Sequence, residues 1–410
     1  MIPRSRAFLA ATAALVVIAI VALQIPAVSA AAAWRAEKFT VYVRNLIHPV
    51  GPAPTALPVA APSATPTASA PPATQTDGTP TSPPSATPEP LPTQVSLPSP
   101  PYEFQTPNNC GPAALSMALH MYGWEGSQAD IAERIKPELR DRNVNPEELA
   151  YFVRNFAGWL SVEYRVGGDL VMLQRLLAAG YPVIVESVTE LDPNDRLNAT
   201  DDLWSAHYMV VTGYDTAGRT FTVQDSYHEP DRQISFAQLE ADWEPFNHLY
   251  MVLYFPEQAA AIAGLFGAAW DADQNRLAAL EAARSETEDQ PDNAFGWFNL
   301  GSNLVYFERY EEAAIAYDTA REIGLPMRMF RYQFGPFLAY FHSGRNDDLL
   351  LLTDYARGVT EMSEEAWLWY GWGLYRQGDI EAAISAWNKA LSINNSSYVD
   401  ARLALQGVGR

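Results

Sequence analysis

The sequence predicts an α+β domain built on an antiparallel sheet and, after it, an all-α repeat solenoid, both preceded by an N-terminal apolar helix and a disordered Pro-rich linker. Three observations lead there. Between residues 101 and 257 helical patterns come first and β-rich runs mostly later, the order expected of an α+β domain. From 258 to 410 the patterns are helical throughout and repeat. Residues 51–100 are almost wholly Pro, Ala, Thr and Ser, too poor in large apolar groups to offset chain entropy.

Residues 1–33 read as a signal peptide or membrane anchor. MIPRSR carries two arginines, and Phe8–Ile25 is an eighteen-residue apolar run long enough to span a bilayer. Val28-Ser29-Ala30 offers small residues at a cleavage point. The run is long for the apolar core of a cleaved signal, which favours an anchor over secretion. Either way the remainder is expected outside the cytoplasm. Residues 34–50 form a short juxtamembrane segment, helix or strand, whose Trp34 and Arg35 suit a membrane boundary. The linker 51–100 is then an extended tether.

Within 101–257, Gly111 to Tyr122 has helical apolar spacing. Ser127 caps SQADIAERI, and Asn145-Pro146 opens NPEELAYFVRNFA with Pro at the first helical position. SVEYRV is a strand, and GGDLVMLQRLLAAG is a helix with an Asp cap and a Gly stop. YPVIVESV, AHYMVVTGYD, RTFTVQDSY and HLYMVLYF are β-rich runs, with the short helix SFAQLEADW between the last two.

In 258–410 a period appears. Trp297, Leu300, Gly301, Leu304, Ala313, Tyr317 and Ala320 recur about 70 residues on as Trp367, Tyr370, Gly371, Leu374, Ala383, Trp387 and Ala390. Tyr340, Gly344 and Ala356 mark a degenerate copy between them, and NRLAALEAARSETEDQP looks like the second helix of a further partial one. The spacing resembles the tetratricopeptide repeat (TPR) of about 34 residues, in which small residues let two antiparallel helices approach and large ones fill the holes. Such solenoids present a concave face to peptides, so the resemblance implies a protein partner.

Acidic residues number 48 against 27 basic ones, a formal charge of −21. That excludes nucleic acid as a partner and an anionic membrane surface as a ligand. The acidic stretch 191–205 lacks the regular spacing of a calcium loop and reads as a solvated loop flanking the site. Asn198-Ala199-Thr200 fits a glycosylation acceptor. No metal or other cofactor is expected.

The chain holds one cysteine, Cys110, so it forms no internal disulfide. A lone cysteine is ordinarily a small buried hydrophobe; its neighbours argue for more. A nucleophilic thiol needs a stabilised thiolate, a base, a group that orients the base, and donors for the oxyanion. Pro112 is tolerated only in a first helical turn, so the helix starts near Cys110 and puts the sulfur at the positive end of its dipole. Gln105, on the incoming loop, could supply an oxyanion donor beside the Cys110 N–H; Asn108 and Asn109 are rival amides.

Of six histidines, His48 precedes the linker, His342 lies in the repeats, and His120 sits at the far end of the Cys110 helix. His207, His228 and His248 remain. His207 opens a run apolar on both faces, so it marks the tip of a central strand. If Thr216-Ala217-Gly218 is a three-residue turn with Gly in the left-handed position, Asp215 pairs with Arg219 and His207 lies opposite Tyr227. Asp225 is then its diagonal neighbour on the same face, within side-chain reach. A two-residue turn would flip the parity.

The order Gln-x4-Cys-Gly-Pro, then His-Tyr-x-Val-Val-x-Gly-Tyr-Asp, then a strand ending in Asp, resembles the C39-like peptidases, a papain-like branch of cysteine peptidases, over about residues 101 to 255. The resemblance implies a papain-like fold with Cys110 as nucleophile, His207 as general base, Asp225 orienting it and Gln105 in the oxyanion hole. The best-known members are fused to a peptide exporter and cut leader peptides after Gly-Gly. Here helical repeats follow the domain, so a leader-peptide substrate is not implied. The expected function is an extracytoplasmic thiol peptidase acting on a peptide or protein, touching the membrane only through its N-terminal segment. An inactive scaffold and a thiol-dependent acyl or peptidyl transferase are the alternatives.

Overall fold

The computed structural model describes residues 26–58, 90–195, 198, 202–395 and 399–410. The apolar run Phe8–Ile25, the middle of the Pro-rich stretch and most of the Asn198 sequon lie outside the described residues. Among those described, no helix is long and apolar enough to cross a membrane.

Helix α1, Pro26–Ile47, is continuous through the segment for which the sequence allows helix or strand. After it, both ends of the Pro-rich stretch depart from the expected free tether. Residues 51–58 lie on the repeats: the Pro54 carbonyl accepts from Arg321 Nε at 2.8 Å, and the Leu57 N–H donates to Asp348 Oδ1 at 2.9 Å. Proline removes a donor but keeps its carbonyl, so a Pro-rich strand can still be held by side-chain donors. At the other end β1, Gln94–Ser96, joins the sheet. A Cβ on Gly213 would meet the Val95 carbonyl oxygen at 2.6 Å, so only glycine admits β1 there.

The domain continues with α2 (Cys110–His120), α3 (Gln128–Ile135), α4 (Pro146–Phe156), β2 (Ser161–Arg165), α5 (Leu170–Ala178), β3 (Val183–Glu190), β4 (Trp204–Asp215), β5 (Thr220–Gln224), β6 (Arg232–Ser235), α6 (Phe236–Trp243), β7 (Tyr250–Tyr254) and α7 (Ala259–Phe266). Capping residues act as their sequence positions predict. Ser127 and Asn145 close capping boxes, and Asp169 Oδ1 accepts from the Met172 N–H at 2.6 Å. The sheet order is β2-β7-β3-β4-β5-β6, all pairs antiparallel, with β1 on the far half of β4. Apolar residues fill both faces. Tyr208, Val210, Met251 and Leu253 pack under α2, α3 and α4; Met209, Val211, Val223 and Val252 pack under α5, α6 and α7. That double burial explains why β4 is apolar on both faces.

The β4–β5 hairpin differs from the expected one. The turn spans residues 216–219, and Arg219, not Gly218, takes the left-handed conformation (φ 51°). Asp215 therefore pairs with Thr220, one position off the expected register. A bulge between Val211 and Gly213 shifts the register back, so Val211 pairs with Val223 and Val210 with Gln224. Two departures cancel, and the strand reaches His207 with the parity that the three-residue turn would have given.

The helical region comprises α8 (Ala272–Asp289), α9 (Ala294–Tyr306), α10 (Tyr310–Ile323), α11 (Gly335–His342), α12 (Asn346–Val359), α13 (Glu364–Gln377), α14 (Ile380–Ile393) and α15 (Val399–Gly407). The recurring small residues do what the repeat requires: a Cβ on Gly301 would meet Tyr317 at 2.7 Å, and one on Gly371 would meet Trp387 at 2.5 Å. The repeats dock on the first domain. Asn247 Nδ2 donates to Asn303 Oδ1 at 2.9 Å, Asn145 Nδ2 to Glu365 Oε1 at 2.6 Å, and Asn394 Nδ2 to Glu148 Oε1 at 2.9 Å.

Candidate active site

Cys110 is the first residue of α2, where backbone N–H groups have no helical partner and the dipole is positive. The incoming loop is pinned by the amide of Gln128. Its Oε1 accepts from the Thr106 N–H at 2.7 Å and from Asn109 Nδ2 at 3.2 Å, while its Nε2 donates to the Phe104 carbonyl at 2.9 Å. Asn108 Nδ2 donates to the Leu139 carbonyl at 3.1 Å. Both rival asparagines are thus engaged elsewhere. Gln105 is not: Ser226 Oγ donates to its Oε1 at 2.9 Å, which fixes the amide and leaves Nε2 as a donor. Gln105, Cys110 and His207 line one cavity.

His207, on β4, is buried at 2% exposure and pairs with Ser187 across to β3. Its Nε2 lies 2.8 Å from Asp225 Oδ1, just past the end of β5, and the ring stands close enough to the Cys110 thiol for each to shift the other's proton affinity. The imidazole is therefore held between sulfur and carboxylate. Asp225 is fully buried and gathers donors. The backbone N–H groups of Tyr227 and His228 reach Oδ1 at 3.0 and 3.2 Å. Arg232 Nη1 donates to Oδ2 at 2.6 Å, and His228 Nδ1 lies 2.8 Å from that same oxygen. Tyr102 Oη donates to the Asp225 carbonyl at 2.8 Å.

These contacts decide the charges. Burial alone would raise the Asp225 carboxyl, but hydrogen bonds from His207 and His228 outweigh it and hold the group ionised, well below the usual carboxylate range. Burial would depress His207, yet its bonds to Asp225 and to Cys110 raise it to about 9. Burial would raise the thiol, but the His207 bond and charge and the Tyr208 and Gly111 N–H groups lower it below its ordinary value. The arrangement favours a thiolate–imidazolium pair.

Of the other histidines open to a sequence reading, His228 supports Asp225 from behind, and His248 lies against Glu240 at 3.6 Å and the Trp243 ring. Sequence reasoning missed Gln128, Ser226, Arg232 and the supporting role of His228. Ser226, His228 and Arg232 follow Asp225 at short intervals, a local signal; Gln128 carries none. It also missed the walls. The cavity, about 730 Å³, is closed on one side by Trp34, Lys38 and Val41 of α1 and on another by Arg328, Arg331 and Tyr332 of the repeats. Among the described residues no cluster of His, Cys, Asp or Glu could hold a metal ion.

Residues 99–251 match the Peptidase_C39 like family, and residues 364–397 match the tetratricopeptide repeat. The chain thus carries a C39-like peptidase domain followed by TPR helices. Among solved structures it is similar to a C39-like peptidase from Bacillus anthracis, 16% identical over 39% of this chain and 97% of that one (TM-score 0.31). It is similar also to xylellain, a cysteine protease from Xylella fastidiosa, at 15% identity over 42% and 91% of the two chains (TM-score 0.31). The protein MamA aligns at 17% identity over 33% and 80% (TM-score 0.29). No curated protein matches the chain.

Proposed function

We propose that this protein is a thiol peptidase that hydrolyses peptide bonds at Cys110. One observation carries the reading: a single buried imidazole, His207, bridges the only thiol and an ionised carboxylate, Asp225. In the mechanism this supports, the Cys110 thiolate attacks the scissile carbonyl carbon. The oxyanion accepts from the Cys110 N–H and Gln105 Nε2. His207 gives its proton to the departing amine, leaving an acyl-enzyme. Water, deprotonated by His207, then attacks the acyl carbon, and the thiolate leaves with the carboxylic acid product formed.

The repeats serve a protein partner or the substrate itself. The N-terminal basic and apolar segment supports an extracytoplasmic site of action. Protease shaving of intact cells tests that location: a protein left intact until lysis speaks against it. The activity is tested by incubating a random decapeptide library with the full chain and with Cys110→Ala, and reading product masses. Fragments bearing new free termini, from the wild type alone, are expected. Products joined to an added amine, with none hydrolysed, would instead indicate a transferase; no products from either protein would sink the enzymatic reading.

A further inference from the structure

We infer that the cleft selects peptides carrying a carboxylate side chain close to the bond being cut, and that Arg142, backed by Arg331 and Arg328 of the repeat module, is the group that reads it. The inference rests on the peptidase reading for its reaction, but not for its binding. The observation behind it is a reversal of charge. The chain as a whole carries 48 acidic residues against 27 basic ones, yet five Arg or Lys side chains and one carboxylate line the catalytic cavity among the described residues. That carboxylate, Asp195, is paired with Lys38.

Arg142 lies between α3 and α4. Among the described residues it makes no hydrogen bond or ion pair; Arg331 and Arg328 add like charge beside it, and the Glu37 carboxylate opposes them. Burial and those two arginines push its guanidinium down to about 9, a sign that the charge is poorly compensated. Arg331 is buried at 4% exposure. Neutral groups fix it: its Nε donates to Thr360 Oγ1 at 2.6 Å and its Nη2 to the Val359 carbonyl at 3.4 Å. Arg328 is held by the Trp204 carbonyl at 3.3 Å and shares its charge with Asp202 at 3.4 Å.

Gathering like charges out of water is costly unless an anion arrives to offset them. A planar guanidinium with no acceptor of its own presents the fork that matches a carboxylate with two parallel hydrogen bonds. Because Arg142 shares the cavity with Cys110, the bound carboxylate belongs to a residue near the scissile bond. The repeat module then completes the substrate site directly, in addition to any partner it holds elsewhere.

The test uses two random decapeptide libraries, identical except that Asp and Glu in one are replaced by Asn and Gln in the other. Retention is measured on full-length Cys110→Ala and cleavage on the wild type. Retention of the acidic library should exceed that of the amide library by about tenfold to a hundredfold, the range of one charge-assisted contact. The chain's overall negative charge works against that result, so a preference reports the cleft. In Arg142→Gln the ratio should fall close to one. Arg142→Lys, which keeps the charge and loses the fork, should fall between and covers the case in which Arg142→Gln does not fold. Equal retention of both libraries, no retention of either, or a ratio that survives Arg142→Gln overturns the inference. Selective retention without any cleavage by the wild type would sink the peptidase reading and leave this one standing.

Discussion

Asp225→Asn is the perturbation that probes the charge arrangement most directly. The amide keeps an oxygen for His207 but removes the negative charge that, with the thiolate, raises the imidazole to about 9. An unassisted imidazole titrates at about 6.5, so at pH 8 its protonated share should fall from about nine-tenths to a few per cent, roughly thirtyfold. The thiol loses the support of that cation in turn. A free thiol with a pKa of about 8.5 is about 0.3% thiolate at pH 6, so alkylation at pH 6 should slow by up to about two orders of magnitude, and at pH 9 far less. The assay is iodoacetamide alkylation from pH 5 to 9, read by mass; with one cysteine in the chain, every adduct reports Cys110. His207→Ala should show the same loss. Wild-type hydrolysis should fall on the alkaline side near pH 9, where His207 loses its proton, and in Asp225→Asn that limb should move toward neutrality. A wild-type rate that follows one titration near 8.5 and is unchanged in both variants would refute the ion-pair reasoning.

Removing the Gln105 amide with Gln105→Ala should lower kcat by about 10²–10³, the usual cost of an oxyanion donor, while alkylation, which builds no oxyanion, falls far less; equal losses in both would assign Gln105 to the fold of the loop instead. At the junction of domain and repeats, burial raises Asp141 to about 7, against the nearby charge of Lys136, and burial also raises Glu364 and Glu365. Carboxyls with raised folded-state values bind protons that the unfolded chain has released, so stability should fall as pH climbs from about 4 to about 7. Glu364→Gln should flatten that slope in denaturant titrations and gain more than about 1 kcal/mol at pH 8, with little change at pH 5; an unaltered slope would remove the cluster from the account.

What the sequence made legible was mostly local. Cys110-Gly111-Pro112 announces its own helix start, because proline constrains the backbone whatever packs around it. The caps at Ser127, Asn145 and Asp169 were equally self-contained. Pairing His207 with Asp225 required a register, and there the reasoning met physics it could not see. The left-handed residue of the turn is Arg219, which pattern rules pass over in favour of Gly218, and the compensating bulge at Thr212 has no sequence mark beyond a neighbouring glycine. Choosing Gln105 among three amides likewise needed the partners of Asn108 and Asn109, one of which is supplied by Gln128, nineteen positions away from Asn109.

The walls of the cleft were least legible, for a reason the repeat pattern itself contains. Periodicity identifies residues that face the solenoid core, where helix packing repeats, and is silent wherever packing does not repeat. Arg328 and Arg331 lie in the irregular stretch between α10 and α11, residues 324–334, with a short 3-10 turn at Met329–Arg331. A connection of that length is longer than most helix–helix joins in bundles. Its two arginines are buried against Trp204, Val359 and Thr360, so they are built in rather than left over. A regular repeat could have joined α10 to α11 with a tight turn; the longer path carries cations to a site organised around Cys110. Met329 and Phe330 of the same stretch pack into the repeat core, so this break in the period serves both the solenoid and the cleft.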